Sequence, residues 1–369
     1  MCRGLTEICT RSRSFFVATL PDPFTVGFVR TQDILTLTPA GIYCPAGDFF
    51  VDPMRPVGRA LVTHGHSDHA RAGHDKVMAT APTLDIMDVR YGQDFTRERQ
   101  VAVLGQAVRI GDVVITFHPA GHVLGSAQIA IELDGFRVVV SGDYKRSQDP
   151  TCLPFEPVQC DSFVTEATFG LPVFRFPDAE TEARKLLASQ ALFPDRTHLL
   201  GAYALGKAQR MIRVLRDLGY DRPIYLHGSM VRLCDYYGRA GIDLGELRRV
   251  DPAQRGRLGG EIVLCPPSTL KDTWARKFPE PITVAASGWM RVRARARQKG
   301  VELPLIVSDH ADWPALCATV REVGCSELWV THGEADALVH WAGMQGIEAR
   351  PLHLMGYGEE SDEALDEAA

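Results

Sequence analysis

At 369 residues, with 45% hydrophobic and 23% charged side chains, the chain has an ordinary globular composition and enough length to bury two or three domain cores. No apolar run approaches the roughly 18 residues that cross a bilayer, which excludes a membrane-spanning role. The formal charge of −6 comes from the last eleven residues, which carry six acids and no base, so global charge neither supports nor excludes nucleic acid and any such contact needs a local basic patch.

Residues 1–30 read as an N-terminal extension. Arg3, Arg11 and Arg13 precede the apolar Phe15–Leu20, but that stretch is too short for a signal peptide and runs into Pro21-Asp22-Pro23, so a loose extension or an over-early start is expected. From Leu35 short apolar runs recur between turn signals and predict buried strands at Ile42–Cys44, Phe49–Val51, Ala60–Thr63, Val113–Phe117, Ile129–Leu133 and Val138–Val140. Between them Thr83–Tyr91 has helical spacing and ends at Gly92. From about Pro172 helical patterns at Ala179–Leu192, Gly206–Leu218 and Met230–Ala240 alternate with strand-like Leu199–Ala202, Ile224–Leu226 and Ile262–Leu264, the texture of a doubly wound parallel α/β unit. Beyond Pro304 a strand is expected at Leu305–Ser308, a helix after Asp312 and another strand at Leu328–Thr331. The acidic tail, 357–369, reads as a disordered solubilising end. Nine cysteines with no C-x-x-C pair read as reduced thiols in a cytoplasmic protein.

The strongest chemical signal is His64-Gly65-His66-Ser67-Asp68-His69, directly after a predicted strand. Three imidazoles and a carboxylate on a tight turn can supply ligands to two adjacent cations, because alternate side chains diverge. A polar surface loop is the competing explanation. Such a turn leaves each metal short of ligands, and three further candidates stand just past predicted strand ends. They are His122 in Gly121-His122-Val123, Asp143 in Ser141-Gly142-Asp143-Tyr144, and His332 in Thr331-His332-Gly333-Glu334. A carboxylate can bridge two metals where an imidazole cannot, although an aspartate beside glycine is also an ordinary turn residue.

Together these residues resemble the metal-binding motifs of the metallo-β-lactamase fold, in which Asp52 would support the ligand loop without binding metal. The long gap between Asp143 and His332 requires a whole inserted domain. Such an insertion resembles the β-CASP nuclease branch. Val164-Thr165-Glu166-Ala167-Thr168-Phe169-Gly170 resembles its acidic motif A, Ser308-Asp309-His310-Ala311-Asp312 its motif B, and Thr331-His332-Gly333-Glu334 its motif C in histidine form. More narrowly, Thr38–Cys44, Gly47–Pro53 and Gly142–Arg146 look like the bacterial ligase-associated DNA exonucleases. The resemblance implies an αβ/βα sandwich of residues 31–170 and 305–356 around an inserted β-CASP α/β domain at 171–304.

It also implies a metal-dependent phosphodiesterase that acts as a DNA exonuclease on single strands or ends, in repair beside a DNA ligase and a helicase. His64, His66 and His122 would hold one divalent ion and Asp68, His69 and His332 the other, with Asp143 bridging. Zinc suits the histidine-rich set and manganese competes. His310 would protonate the leaving oxygen, oriented by Glu166, and Asp68 counts with the catalytic residues as well as the ligands. Phosphate contacts are expected from Arg291, Arg293 and Arg295, within five bases and no acid over nine positions, and from Lys207 and Ser229 at helix starts. Tyr225 and Trp289 are stacking candidates, with core packing the plainer role. The other histidines, at 74, 118, 198, 227, 340 and 353, are read as structural or surface residues. Rival readings are an RNA-processing ribonuclease of the same branch, a small-molecule metallo-hydrolase on the same core, and a binding partner that has lost catalysis.

Overall fold

A computed structural model describes residues 29–352. Nearly all of the N-terminal extension, the acidic tail and His353 lie outside the described residues. Among the described residues no helix is long and apolar enough to cross a membrane.

Two mixed sheets form a sandwich. The first holds six strands in sequence order: Thr36–Thr38, Gly41–Cys44, Phe49–Val51, Arg59–Leu61, His74–Thr80 and Thr96–Ala102. It starts antiparallel and turns parallel at Phe49–Val51. The second runs Glu348–Pro351, Glu327–Gly333, Ser162–Ala167, Phe136–Val140, Ala127–Leu133, Val113–Pro119 and Val108–Ile110. Their facing sides share one core, in which Phe49, Val51 and Leu61 meet Ile115, Ile129, Val140 and Trp329. The outer faces are covered by helices: Ala81–Tyr91 puts Leu84 and Met87 on Val77 and Ala79, while Trp313–Val323 and Ala335–Met344 put Leu316, Val320 and Leu338 on Phe163 and Val330. Helix, sheet, sheet and helix are therefore layered, and the apolar face of each element is matched by the next.

A third sheet of six parallel strands takes the order Leu247–Arg249, Ile224–Leu226, Ile262–Cys265, His198–Gly201, Ile282–Ala286 and Leu303–Leu305. Helices Ala179–Leu192, Lys207–Asp217 and Gly228–Arg239 pack on it through Leu186, Met211, Leu215 and Met230. Ser162–Ala167 pairs in parallel with Glu327–Gly333, Phe163 facing Leu328, although the entire third sheet lies between them in sequence.

Several strands escape the sequence pattern. Thr96–Ala102, with the sequence Thr-Arg-Glu-Arg-Gln-Val-Ala, is an edge strand whose side chains mostly face solvent, so it carries no apolar alternation. The strand expected at Ala60–Thr63 ends at Leu61, and the one expected at Leu305–Ser308 forms at Leu303–Leu305. In both places the chain peels off to carry functional side chains: Asp52 accepts the Thr63 backbone N–H at 2.8 Å, and Arg210 donates to the Ser308 carbonyl at 2.6 Å.

Candidate metal centre

The site lies at the sandwich edge where strand ends meet. Val62 and Thr63 leave the strand Arg59–Leu61 and lead into the histidine turn, where Ala70 N–H bonds to the His66 carbonyl at 2.7 Å. Asp52, in the left-handed region at φ 45°, fixes this turn from the neighbouring strand end. Its carboxylate accepts Thr63 N–H at 2.8 Å, Thr63 Oγ1–H at 2.6 Å and His69 Nδ1–H at 2.8 Å. Gly142 (φ +55°) brings Asp143 in from the second sheet, and a Cβ there would lie 2.6 Å from Thr63 Oγ1, so no other residue fits.

His64, His66, His122 and Asp143 offer ligand atoms within 4.8 Å of one another, as do His69, Asp143 and His332. Asp143 is common to both groups. Its Oδ1 is 2.8 Å from His332 Nε2, and its Oδ2 is 3.4 Å from His69 Nε2, 3.5 Å from His64 Nε2 and 3.8 Å from His122 Nε2. Asp68 Oδ2 lies 3.6 Å from His69 Nε2, and Asp68 Oδ1 is buried without a hydrogen bond. Asp143, Glu166 and His310 form a third group: His310 Nδ1 is 2.9 Å from Glu166 Oε2 and 4.0 Å from Asp143 Oδ2. Glu166 also accepts Tyr144 N–H at 2.8 Å and Thr168 Oγ1–H at 2.6 Å, so its position is fixed from three sides.

The outer nitrogens decide what the inner ones can do. His122 Nδ1–H donates to the Asp309 carbonyl at 2.7 Å, His66 Nε2–H to the Leu205 carbonyl at 3.3 Å, and His64 Nδ1 faces Thr63 Oγ1 at 3.1 Å. Each neutral ring then turns a lone pair inward. His66 Nδ1 meets His64 Nε2 at 3.1 Å and His122 Nε2 at 3.0 Å. Converging lone pairs do not bond one another, but they fit a shared cation, and outer N–H donation to fixed acceptors is how metal-binding imidazoles are oriented. Burial holds His64 and His122 well below the ordinary histidine value, which keeps them neutral. Burial would lower His69 too, but the charges of Asp143 and Asp68 overcome it and hold its proton well above that value. Asp143 is held low against burial by His69 and His332. A cation at this spot would take over the work of the His69 proton. The donor set therefore fits metal binding, with Asp143 common to the histidine groups.

Behind this centre lies a buried ion cluster that sequence reading missed. Lys145 Nζ donates to Asp149 Oδ2 at 2.5 Å and to the His122 carbonyl at 3.1 Å. Arg210 Nη1 donates to Asp309 Oδ1 at 3.2 Å, and its Nε lies 3.6 Å from Asp149 Oδ2. Lys145, Asp309 and Lys207 stand inside or beside recognisable motifs, but nothing in their spacing showed that they pair.

The expected phosphate contacts fare unevenly. Lys207 is buried, its ammonium 3.5 Å from Asp309 Oδ2 and over the Tyr203 ring, so it faces inward where a phosphate contact needs exposure. The alternating bases fall in the short helix Arg293–Lys299 and the turn before it, where a two-residue spacing points to opposite sides and splits the patch. Arg291 and Arg293 are exposed; Arg295 stacks on Trp289 with 3.8 Å to the ring centroid. Trp289 also packs 4.9 Å from Phe169, whose ring is 6.1 Å from His310, so it lies near the site within an aromatic cluster. Tyr225 packs beside a core of the third sheet. Ser229 Oγ is 2.8 Å from His227 Nδ1 at the start of the helix Gly228–Arg239.

No family model matches the chain. It is 28% identical over 313 residues to a "Probable DNA ligase" of Opitutus terrae, covering 84% of this chain and 30% of that protein. It is 25% identical to an "RNase J-like protein" of Methanocaldococcus jannaschii, covering 57% and 56%. It is 30% identical over 177 residues to "Endoribonuclease ysh1" of Emericella nidulans, covering 44% and 20%. The chain thus spans less than two thirds of the length of each. These homologues indicate the metallo-β-lactamase/β-CASP superfamily.

Proposed function

We propose that this protein is a metal-dependent phosphodiesterase, and within that class a DNA exonuclease of the β-CASP branch. The observation that carries the reading is the sharing of Asp143 between two histidine groups, beside a His310–Glu166 pair that belongs to neither. In this reading residues 31–170 and 305–356 build the metal-binding body and 171–304 the inserted domain, with nucleic acid entering between them.

His64, His66 and His122 would hold one cation and Asp68, His69 and His332 the other, with Asp143 available to both. Two such ions, zinc by preference and manganese as competitor, would supply Lewis acidity at phosphorus and lower the pKa of an attacking water. The chain's own residues do the rest. Asp52 locks the His69 tautomer and Asp309 that of His122. His310, its Nδ1 held by Glu166 at 2.9 Å, would give the proton on its other ring nitrogen, Nε2, to the departing oxygen as general acid.

The DNA assignment rests on the narrow sequence resemblance and on the match to the Opitutus protein called a DNA ligase, which spans most of this chain. It implies end processing beside a ligase and a helicase in the cytoplasm. RNA cleavage is the second reading, favoured by the relatives named as an RNase J-like protein and an endoribonuclease. Release of end-labelled nucleotides from matched single-stranded DNA and RNA, with bound metal measured and Asp143→Ala as control, tests both. Metal-dependent DNA cleavage lost in the control is expected. Cleavage of RNA alone would move the assignment to the second reading, and no cleavage of either by metal-loaded protein would end both.

A further inference from the structure

A cavity of about 760 Å³ opens beside the metal centre, between the helix Ala81–Tyr91 of the sandwich and the third sheet, and none of the candidate metal ligands lines it. Four arginines do: Arg90, Arg232, Arg249 and Arg255. A single acid, Asp251, shares the wall, and its Oδ1 accepts the Ala253 N–H at 2.9 Å. Among the described residues none of the four guanidiniums has a carboxylate oxygen within the 4.0 Å of an ion pair, and Arg255 Nε is buried without a hydrogen bond.

The cations also sit where they should repel. The helix Gly228–Arg239 begins at this wall with no acid in its first turn, so its positive end points at the cavity. Arg249 lies against that end, near enough that a Cβ on Gly228 would be 3.4 Å from Nη2. Guanidiniums gathered at a helix N-terminus, four against the single acid Asp251 and none of them ion-paired with it, are arranged for an anion. A flat surface is present too: Trp274 lines the same cavity, with Arg255 5.4 Å from its ring centroid.

The cavity is joined to the histidine turn by two short links. Arg90 Nη1 donates to the Gly65 carbonyl at 2.7 Å, between His64 and His66, and Ala204 in the wall precedes Leu205, whose carbonyl holds His66. We propose that this cavity is a subsite for one nucleotide of the substrate strand away from the scissile bond, its phosphate held by Arg232 and Arg249 at the helix start and its base against Trp274. The assignment rests on the nuclease reading above for the identity of the strand, but its binding chemistry does not depend on turnover.

The test is binding of a short fluorescent single strand to the full chain in EDTA, titrated against salt. Arg232→Glu combined with Arg249→Glu should weaken binding about tenfold or more, and the slope of log affinity on log salt should shrink by about 0.7, the share of the one phosphate no longer neutralised. Arg255→Gln gives a second, gentler variant, and an unaltered melting temperature certifies each fold. Unchanged affinity and slope in folded variants would overturn the subsite. Thymidine 5′-monophosphate competing at the strand's own affinity would make the cavity a free-nucleotide site and overturn the strand assignment. Failure of the nuclease reading is seen separately, as absence of cleavage by the metal-loaded native chain.

Discussion

His310 shows how much a single side chain's neighbours decide. Its Nδ1 is tied to Glu166 and its ring packs 4.8 Å from that of His122, and with Glu166 it meets Asp143 in a third group beside the two that contain histidines 64, 66, 69, 122 and 332. Replacing it should remove a proton donor and leave the cations in place. His310→Ala is expected to lower kcat by about 10²- to 10⁴-fold with metal content unaltered, measured by single-strand cleavage and metal analysis of the same sample. Full turnover in the variant would assign His310 to packing. Glu166 was legible from its motif, but its role in fixing the ring depends on Tyr144 N–H and Thr168 Oγ1–H, which only the fold brings to it.

At the scale of elements, the helix Lys207–Asp217 of the third sheet is locked to the sandwich through charge. Lys207 and Arg210 project from it toward Asp309 and Asp149, and Lys145 closes the cluster beneath His122. Burial would raise both carboxyls, but Lys145 and Arg210 hold Asp149 below its ordinary value, and Lys207, Lys145 and Arg210 hold Asp309 lower still. A buried pair broken from one side leaves an uncompensated charge at a cost of about 3–5 kcal/mol. Arg210→Met should therefore lower the melting temperature and also weaken metal binding, because the Asp309 carbonyl that orients His122 loses its anchor; calorimetry and chelator competition read the two effects. Both carboxyls have depressed folded values, so their contribution is whole above about pH 4, the unfolded range, and fades as pH falls toward the folded values. The variant should lose part of that acid limb. Equal stability, acid response and metal affinity in the variant would show that the cluster merely fills space.

For the whole molecule, the centre joins turns from both sheets, and the candidate metal set and the Glu166–His310 pair draw residues from His64 to His332, with Asp52 bracing His69. Metal held there would crosslink the two sheets of the sandwich and bind the folded chain only, which would add about 4 kcal/mol at a thousand-fold excess over Kd. Chelation should lower the melting temperature by several degrees and zinc should restore it, while Asp143→Ala should melt alike with and without the ion. A native chain indifferent to chelator would argue against a metal held at this edge.

The sequence alone marked the residues of the candidate metal centre. The histidine turn, Asp143, His122 and His332 were legible because ligands cluster at strand ends, and strand ends are marked by apolar runs meeting glycine. The alternating second half likewise announced a parallel sheet through its periodicity. Only the tertiary structure decided which groups meet. Thr96–Ala102 is a polar edge strand with no pattern to read, Lys207 turned inward because Asp309 lies beneath it, and the Arg293–Lys299 bases fell on opposite sides because that segment is a helix. The arginine-lined cavity draws on residues from Val89 to Trp274, and no local spacing could have announced it. Local pattern reports what a residue does to its own backbone, whereas charge pairing and cavities arise between segments far apart in sequence, where packing alone sets the distance.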